Sequence, residues 1–378
     1  MTGISRRSFF IGSAVAGVST LTSAGRVFSL DTALESLYGP APGIAKLNAN
    51  ENPYGPSPSA LKAMMKASAH GAYYVRESAQ RLREMIAERH GLTTDHVVLS
   101  SGSSGVLTYL ALASSQQGAI LAPDLFWDTT SLMGVRNGSN GIMRLPKSPS
   151  LAIDLQAMEK ALDADISMVH VTNPNNPTGM VLDSDELRAF CSRASEKCTV
   201  LVDEAYNELT DDPAASTMIP LVKAGKNVAV ARTFSKIYGL AGMRVGYMIA
   251  KPELLEKVKQ YGLGDYGLNQ AGVAAAVASY NDEAFLAFSK TKIIEAREMV
   301  SEAIRRNGLT ALPSETNFMF VNLGSTNAES FRAAMADRNV LIRGIYRDYN
   351  HWSRVSMGKL EDVQMYVDAL PAALEAAS

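Results

Sequence analysis

Short apolar runs recur along this chain, and each stops abruptly at polar or glycine residues. "HVVLSSGSSG", "GAILAPDLFW", "SMVHVTNPNNPTG", "TVLVDEAYNEL" and "NVAVARTFSK" all share that form. Runs of four to six apolar residues without alternation read as strands covered on both faces. Between them lie stretches with helical spacing, such as "SAQRLREMIAERHG" with its stopping glycine. That succession predicts an α/β fold, with a large doubly wound domain built on a mostly parallel sheet. Beyond about Asn281 the pattern changes to a long charged helix, "SKTKIIEAREMVSEAIRRNG", and then to strands "NFMFVNL" and "HWSRVSMG", which predicts a smaller α+β domain. The expected division is a leader over 1–30, an arm joining the small domain over 31–70, the large domain over 71–280 and the small domain over 281–378.

Charge and cysteine content remove several classes of function. Lysine and arginine number 36 against 38 aspartates and glutamates, a formal charge of −2, so the chain has no electrostatic footprint for nucleic acid. Cys191 and Cys198 are the two cysteines. They lie seven apart in a helical-looking stretch, too far along the axis to bridge, and read as packing thiols. No metal-ligand spacing occurs.

The amino terminus reads separately. "SRRSFFIGSAVAGVSTLTSAG" sets Arg6 and Arg7 before two phenylalanines and a soft run rich in glycine, alanine and serine. The run is too short for a comfortable membrane span, and the S-R-R-x-F-F pattern resembles a twin-arginine export signal. Export to the periplasm without stable membrane insertion is the expectation, with Ala24 offering a cleavage position.

The chemistry-bearing residues follow the strands, where open α/β sheets bind ligands. "SGSSG" (101–105) lies between a strand and a helix, so its N–H groups and hydroxyls can hold a phosphate at the positive helix end. "NPNNPTG" (173–179) is a rigid loop able to hold Asn176 over a ligand. In "VLVDEAY", Asp203 closes an apolar strand, and a buried carboxylate needs a cationic partner or a protonated heterocyclic nitrogen. Tyr206 offers a phenol nearby. In "TFSKIYGLAGMRVGY", Lys236 and Arg244 sit among small residues, with Gly239, Gly242 and Gly246 giving the backbone room. A desolvated lysine can attack a carbonyl, and Arg244 with Ser235 can bind phosphate. Together these residues describe a phosphorylated aldehyde with a basic ring nitrogen, which is pyridoxal phosphate.

From about residue 45 the chain resembles the fold-type I pyridoxal-phosphate enzymes, specifically the histidinol-phosphate branch of the class I/II aminotransferases. "LNANENPYGPSP", "NPNNPTG", "VDEAY", "TFSKIYGLAGMRVGY" and "SRVSMG" carry the likeness. The resemblance implies a Schiff base on Lys236, Asp203 at the pyridine nitrogen, and Asn176 with Tyr206 at the phenolic oxygen. It implies phosphate binding by Ser103, Ser104, Thr233, Ser235 and Arg244. Phe126 and Trp127 compete to stack on the ring. Asn50, Arg343 and Arg354 would meet substrate, Arg354 gripping its carboxylate or phosphate. Tyr74 matches a tyrosine reaching the neighbouring subunit's phosphate, which implies a homodimer with shared sites. The family's tyrosine after "NANE" is Asn52 here. The expected reaction moves an amino group from an amino acid or amino-alcohol phosphate to a 2-oxo acid. The alternative is a decarboxylase, racemase or lyase using the same cofactor.

Overall fold

The computed structural model describes residues 38–137, 140–163 and 165–378, and residues 43–378 form one compact unit. The leader with Arg6, Arg7 and Ala24 lies outside the described residues. In chain order the strands are β1 (Ala45–Leu47), β2 (Val97–Ser100), β3 (Ala119–Ala122), β4 (Ile142–Arg144), β5 (Ile166–Thr172) and β6 (Thr199–Asp203). They continue with β7 (Val228–Thr233), β8 (Gly246–Ala250), β9 (Thr310–Ala311), β10 (Phe318–Asn322), β11 (Val340–Ile342) and β12 (Trp352–Ser356).

Seven of these form one sheet in the order β2-β8-β7-β6-β5-β3-β4. β4, β3, β5, β6 and β7 run parallel, while β8 runs antiparallel to both its neighbours. Alternate residues serve opposite cores, as expected for a sheet with no wet face. Val200, Val202, Val228 and Val230 join one core together with Leu187 and Phe190 of helix Ser184–Ala194. Leu201, Ala229 and Ala231 join the other, beneath Val106, Leu107 and Leu110 of helix Ser103–Ser115. The five strands expected from the apolar runs are all present. β4 and β8 are additions: β4 is a three-residue edge, and β8 ("GYMIA") continues directly from the Lys236–Arg244 segment.

Beyond the large sheet, β10 pairs antiparallel with β12 and β9, and β1 pairs in parallel with β11. The long charged helix spans Glu283–Arg306. Helix Pro58–Ser68 begins with proline at its first turn and Ser57 as cap, its hydroxyl accepting from the Ala60 N–H at 3.2 Å, an arrangement worth about 1 kcal/mol. Cys191 and Cys198 are free and buried. The helix expected to carry both ends at Ala194, so it holds Cys191 while Cys198 lies beyond it. Among the described residues, no helix is long and apolar enough to cross a membrane.

Candidate active site

Thr172, Asp203 and Thr233 close three adjacent parallel strands. All three line a cavity of about 420 Å³ at the carboxyl edge of the sheet, the usual ligand position in such folds.

One end of the cavity is built to hold an anion. Gly102 precedes helix Ser103–Ser115 with φ +74°, and a Cβ there would lie 2.1 Å from Arg244 Nη2. Arg244 itself is left-handed, with φ 54°. Its guanidinium donates to Ala241 O (2.9 Å), Ser104 Oγ (3.1 Å) and Ser235 Oγ (3.3 Å). Thr233 Oγ1 donates to Ser235 Oγ at 2.9 Å. A Cβ on Gly246 would meet Ser103 N at 2.1 Å, which explains that glycine, whereas Gly242 faces no atom within 4 Å. Helix dipole, free N–H groups, hydroxyls and a guanidinium fork thus converge, and no carboxylate among the described residues pairs with Arg244.

Lys236 stands at the centre. Its Nζ donates to Asn50 O at 3.1 Å. Burial, and then the Arg354 guanidinium, lower its pKa from the ordinary 10.5 to about 8, so near neutral pH a usable fraction is free amine. Asp203 is buried, and among the described residues its carboxylate accepts only the Ala205 N–H, at 3.2 Å. Burial raises its pKa to about 7, opposed by that hydrogen bond and by Lys236. Tyr206 Oη accepts from Asn50 Nδ2 at 2.8 Å and from Asn176 Nδ2 at 3.4 Å. Burial pushes the phenol up to about 12.

Arg354 enters from β12, its Nη1 donating to Asn176 Oδ1 (3.0 Å) and its Nη2 to Asn48 O (3.1 Å). It is 5% exposed, its Nε has no partner, and it makes no ion pair among the described residues. A guanidinium desolvated without an anion is costly unless a ligand supplies one. Arg343 lines the same wall, and Tyr346 lies between the two arginines, 5.4 and 5.5 Å from them.

Trp127 lines the cavity and Phe126 does not. Phe126 packs edge-on against His170 at 5.0 Å, with Arg144 over its face. Tyr74 is 72% exposed and away from its own chain's cavity, meeting Tyr266 at 5.2 Å. The remaining expected residues, namely Asn50, Ser103, Ser104, Asn176, Asp203, Tyr206, Thr233, Ser235, Lys236, Arg244, Arg343 and Arg354, all line the cavity. Asn52 turns away from it and donates to Ile237 O (2.7 Å) and Ser289 Oγ (3.0 Å). That side chain fastens the arm beneath the lysine loop. Asn48, Glu51, Thr172 and Tyr346 also line the cavity, although nothing in the sequence marks them. The Oγ1 of Thr172 and the Oδ1 of Asn48 are buried without partners.

An anion cradle, a desolvated amine, an unsaturated carboxyl and a facing indole define an enzyme that handles amines through a phosphorylated aromatic aldehyde. Pyridoxal 5'-phosphate fits this donor set at every group. Comparison with known proteins agrees. The model for aminotransferase class I and II matches residues 42–370. The chain is 32% identical over 363 residues to histidinol-phosphate aminotransferase 1 of Cupriavidus pinatubonensis, covering 94% of this chain and 92% of that one. It is 34% identical to an aromatic amino acid aminotransferase of Thermobifida fusca, over 86% of this chain and 89% of that one. The solved histidinol-phosphate aminotransferase of Sinorhizobium meliloti, in complex with pyridoxal-5'-phosphate, matches with a TM-score of 0.81 and 28% identity, over 92% and 94% of the two chains. The chain belongs to the class I and II aminotransferase family, as a pyridoxal-phosphate-dependent aminotransferase of fold type I.

Proposed function

We propose that the enzyme takes its amino group from a donor that also carries an anion, an amino acid or an amino-alcohol phosphate such as histidinol phosphate, and passes it to a 2-oxo acid. The observation that carries this is Arg354, a buried guanidinium aimed into the cavity with one donor unused and no acidic partner. When bound, the cofactor supplies an aldehyde that condenses with amines and a ring that accepts the electron pair freed at the donor's α-carbon. Lys236 would anchor that aldehyde and afterwards, as free amine, would take the proton from the donor's α-carbon and deliver it to the carbon that had been the aldehyde's. Asp203 holds a proton on the ring nitrogen, and its raised pKa suits a group that shares one. Tyr206 and Asn176 would hold the phenolic oxygen, and Trp127 would cover the ring. Arg354, with Arg343, orients the donor's anion.

Two further parts of the reading concern assembly and location. Tyr73, Tyr74, Leu263 and Tyr266 are all at least 65% exposed on one chain, an apolar set suited to a second copy, with Tyr74 then completing the neighbour's anion cradle. Arg6, Arg7 and the following soft apolar run support export by the twin-arginine route.

The functional test is a titration of the cofactor-loaded protein with L-amino acids and L-histidinol phosphate, followed by visible absorbance. One donor should convert the cofactor to its amine form, and a 2-oxo acid should restore it. A spectrum that no donor converts overturns the transaminase reading. For assembly, mixing inactive Lys236→Ala with inactive Tyr74→Ala should restore part of the activity, and no recovery argues against shared sites. For location, a fluorescent fusion that stays cytoplasmic with Arg6 and Arg7 intact removes the export proposal.

A further inference from the structure

We propose that Asp124 is a positioning residue for the amino donor: with Arg347 and Tyr349 it latches the Trp127 wall of the cavity to the wall that bears Arg343 and Tyr346. The proposal rests on the aminotransferase reading above. Asp124 lies just past β3, three residues before Trp127. Its carboxylate is shared between two side chains from across the cavity. Oδ1 accepts from Arg347 Nη1 at 2.6 Å, and Oδ2 accepts from Tyr349 Oη at 2.5 Å. Its carbonyl accepts from Arg347 Nη1 (2.7 Å) and Arg144 Nη1 (3.0 Å). The Asp124 side chain is 11% exposed and that of Arg347 40%, so of its two side-chain partners Tyr349 makes the more sheltered charge-assisted bond.

Arg347 and Tyr349 belong to the connection between β11 and β12, directly after Tyr346. The Tyr349 N–H donates to Tyr346 O at 2.9 Å, closing that turn. Arg347 has φ +49°, a conformation that non-glycine residues disfavour and that its two bonds to Asp124 hold. Leu125, Tyr349 and Phe320 form their own apolar cluster, with Tyr346 and Trp352 packed against it. On the other side, Asn175 Nδ2 donates to Leu125 O at 3.0 Å, tying the same loop to the segment that carries Asn176. Asp124, Arg347 and Tyr349 do not line the cavity. They act through Trp127, Arg343 and Tyr346, which do.

The chain's two tryptophans, Trp127 and Trp352, flank this latch, so their fluorescence reports it without any turnover. The experiment compares wild type, Asp124→Ala and Tyr349→Phe as cofactor-loaded proteins, with L-histidinol phosphate and L-phenylalanine as donors, and measures acrylamide quenching on each. Asp124→Ala should raise donor KM about tenfold with kcat within about twofold, and Tyr349→Phe should raise KM about threefold. Cofactor absorbance should be unchanged, and quenching should increase in Asp124→Ala. Unchanged KM together with unchanged quenching overturns the latch. So does a loss of kcat and cofactor in step with KM, because Asp124 would then only support folding. If wild type converts neither donor, the proposed donor class fails while quenching alone still decides the latch.

Discussion

Asp203 and Glu204 are neighbours in the chain, both carboxylates and both buried, yet the protein treats them in opposite ways. Glu204 is saturated. It accepts from Arg232 Nη2 (2.7 Å) and Nε (3.0 Å), from Thr217 Oγ1 (2.8 Å) and from the Met218 N–H (2.7 Å). Asp203 has a single donor among the described residues, the Ala205 N–H. The arginines divide likewise. Arg232 is spent on Glu204 and Glu208, while Arg354 keeps a buried N–H unused and meets no carboxylate among the described residues. A buried charge with all its partners belongs to the architecture, whereas one left unsaturated is a place kept for a ligand.

The largest expected effect falls on Lys236. Lys236→Met should lower kcat by about 10⁴-fold or more and yet stabilise the cofactor-free protein near pH 7. The sign follows from linkage. The folded pKa lies near 8, below the ordinary 10.5, so folding below pH 8 keeps an unwelcome charge. That penalty, of order 3 kcal/mol, fades as pH rises from about 8 to about 10.5. Urea unfolding of both proteins at pH 7 and pH 10.5 checks it, and a destabilised variant at pH 7 breaks the account.

The adjacent carboxylates should then separate cleanly. Glu204→Gln, which leaves the buried Arg232 charge only the longer Glu208 pair at 3.7 Å, should cost about 3 kcal/mol of stability. Asp203→Asn should cost activity about 10²–10⁴-fold and gain stability instead. Burial raises the folded pKa of Asp203 from 3.8 to about 7, so the penalty is absent below pH 4, grows between about pH 4 and pH 7, and is full above pH 7. The gain should therefore appear at pH 8 and vanish at pH 4. Equal destabilisation by both variants would erase the distinction.

Smaller effects sharpen the same contrast. Gly102→Ala places a Cβ 2.1 Å from Arg244 Nη2 in backbone with φ +74° and ψ 164°, and should weaken cofactor binding about 10- to 100-fold, read by equilibrium dialysis, at a cost of about 1–3 kcal/mol of stability. The smallest effect is a shift in pH midpoint. Cofactor capture by the empty enzyme should rise with pH through about 8, the pKa set first by burial and then by Arg354. Arg354→Gln should move that midpoint upward, by at most about one unit.

Much of this was legible because the signal is local. Five apolar runs are strands because each is buried on both faces, and the residues just after them meet at one sheet edge as parallel topology requires. What was hidden depends on tertiary direction. Phe126 and Trp127 are adjacent aromatics in an aperiodic loop, and nothing in sequence says which one faces the cavity. β8 escaped notice because "GYMIA" follows Arg244 without a break. Thr172 sits one residue before the flagged Asn-Pro loop, and Tyr346 lies in the connection between two short strands. Their importance comes from packing between segments that are distant in the chain.

The most direct test of the central claim, that the unsaturated charges hold a cofactor bonded to one lysine, is chemical. The protein loaded with pyridoxal phosphate is reduced with borohydride, digested and mapped by mass spectrometry. The account predicts the cofactor on the peptide containing Lys236, and none fixed in Lys236→Ala. Label on another lysine, or equal label in the variant, would contradict it.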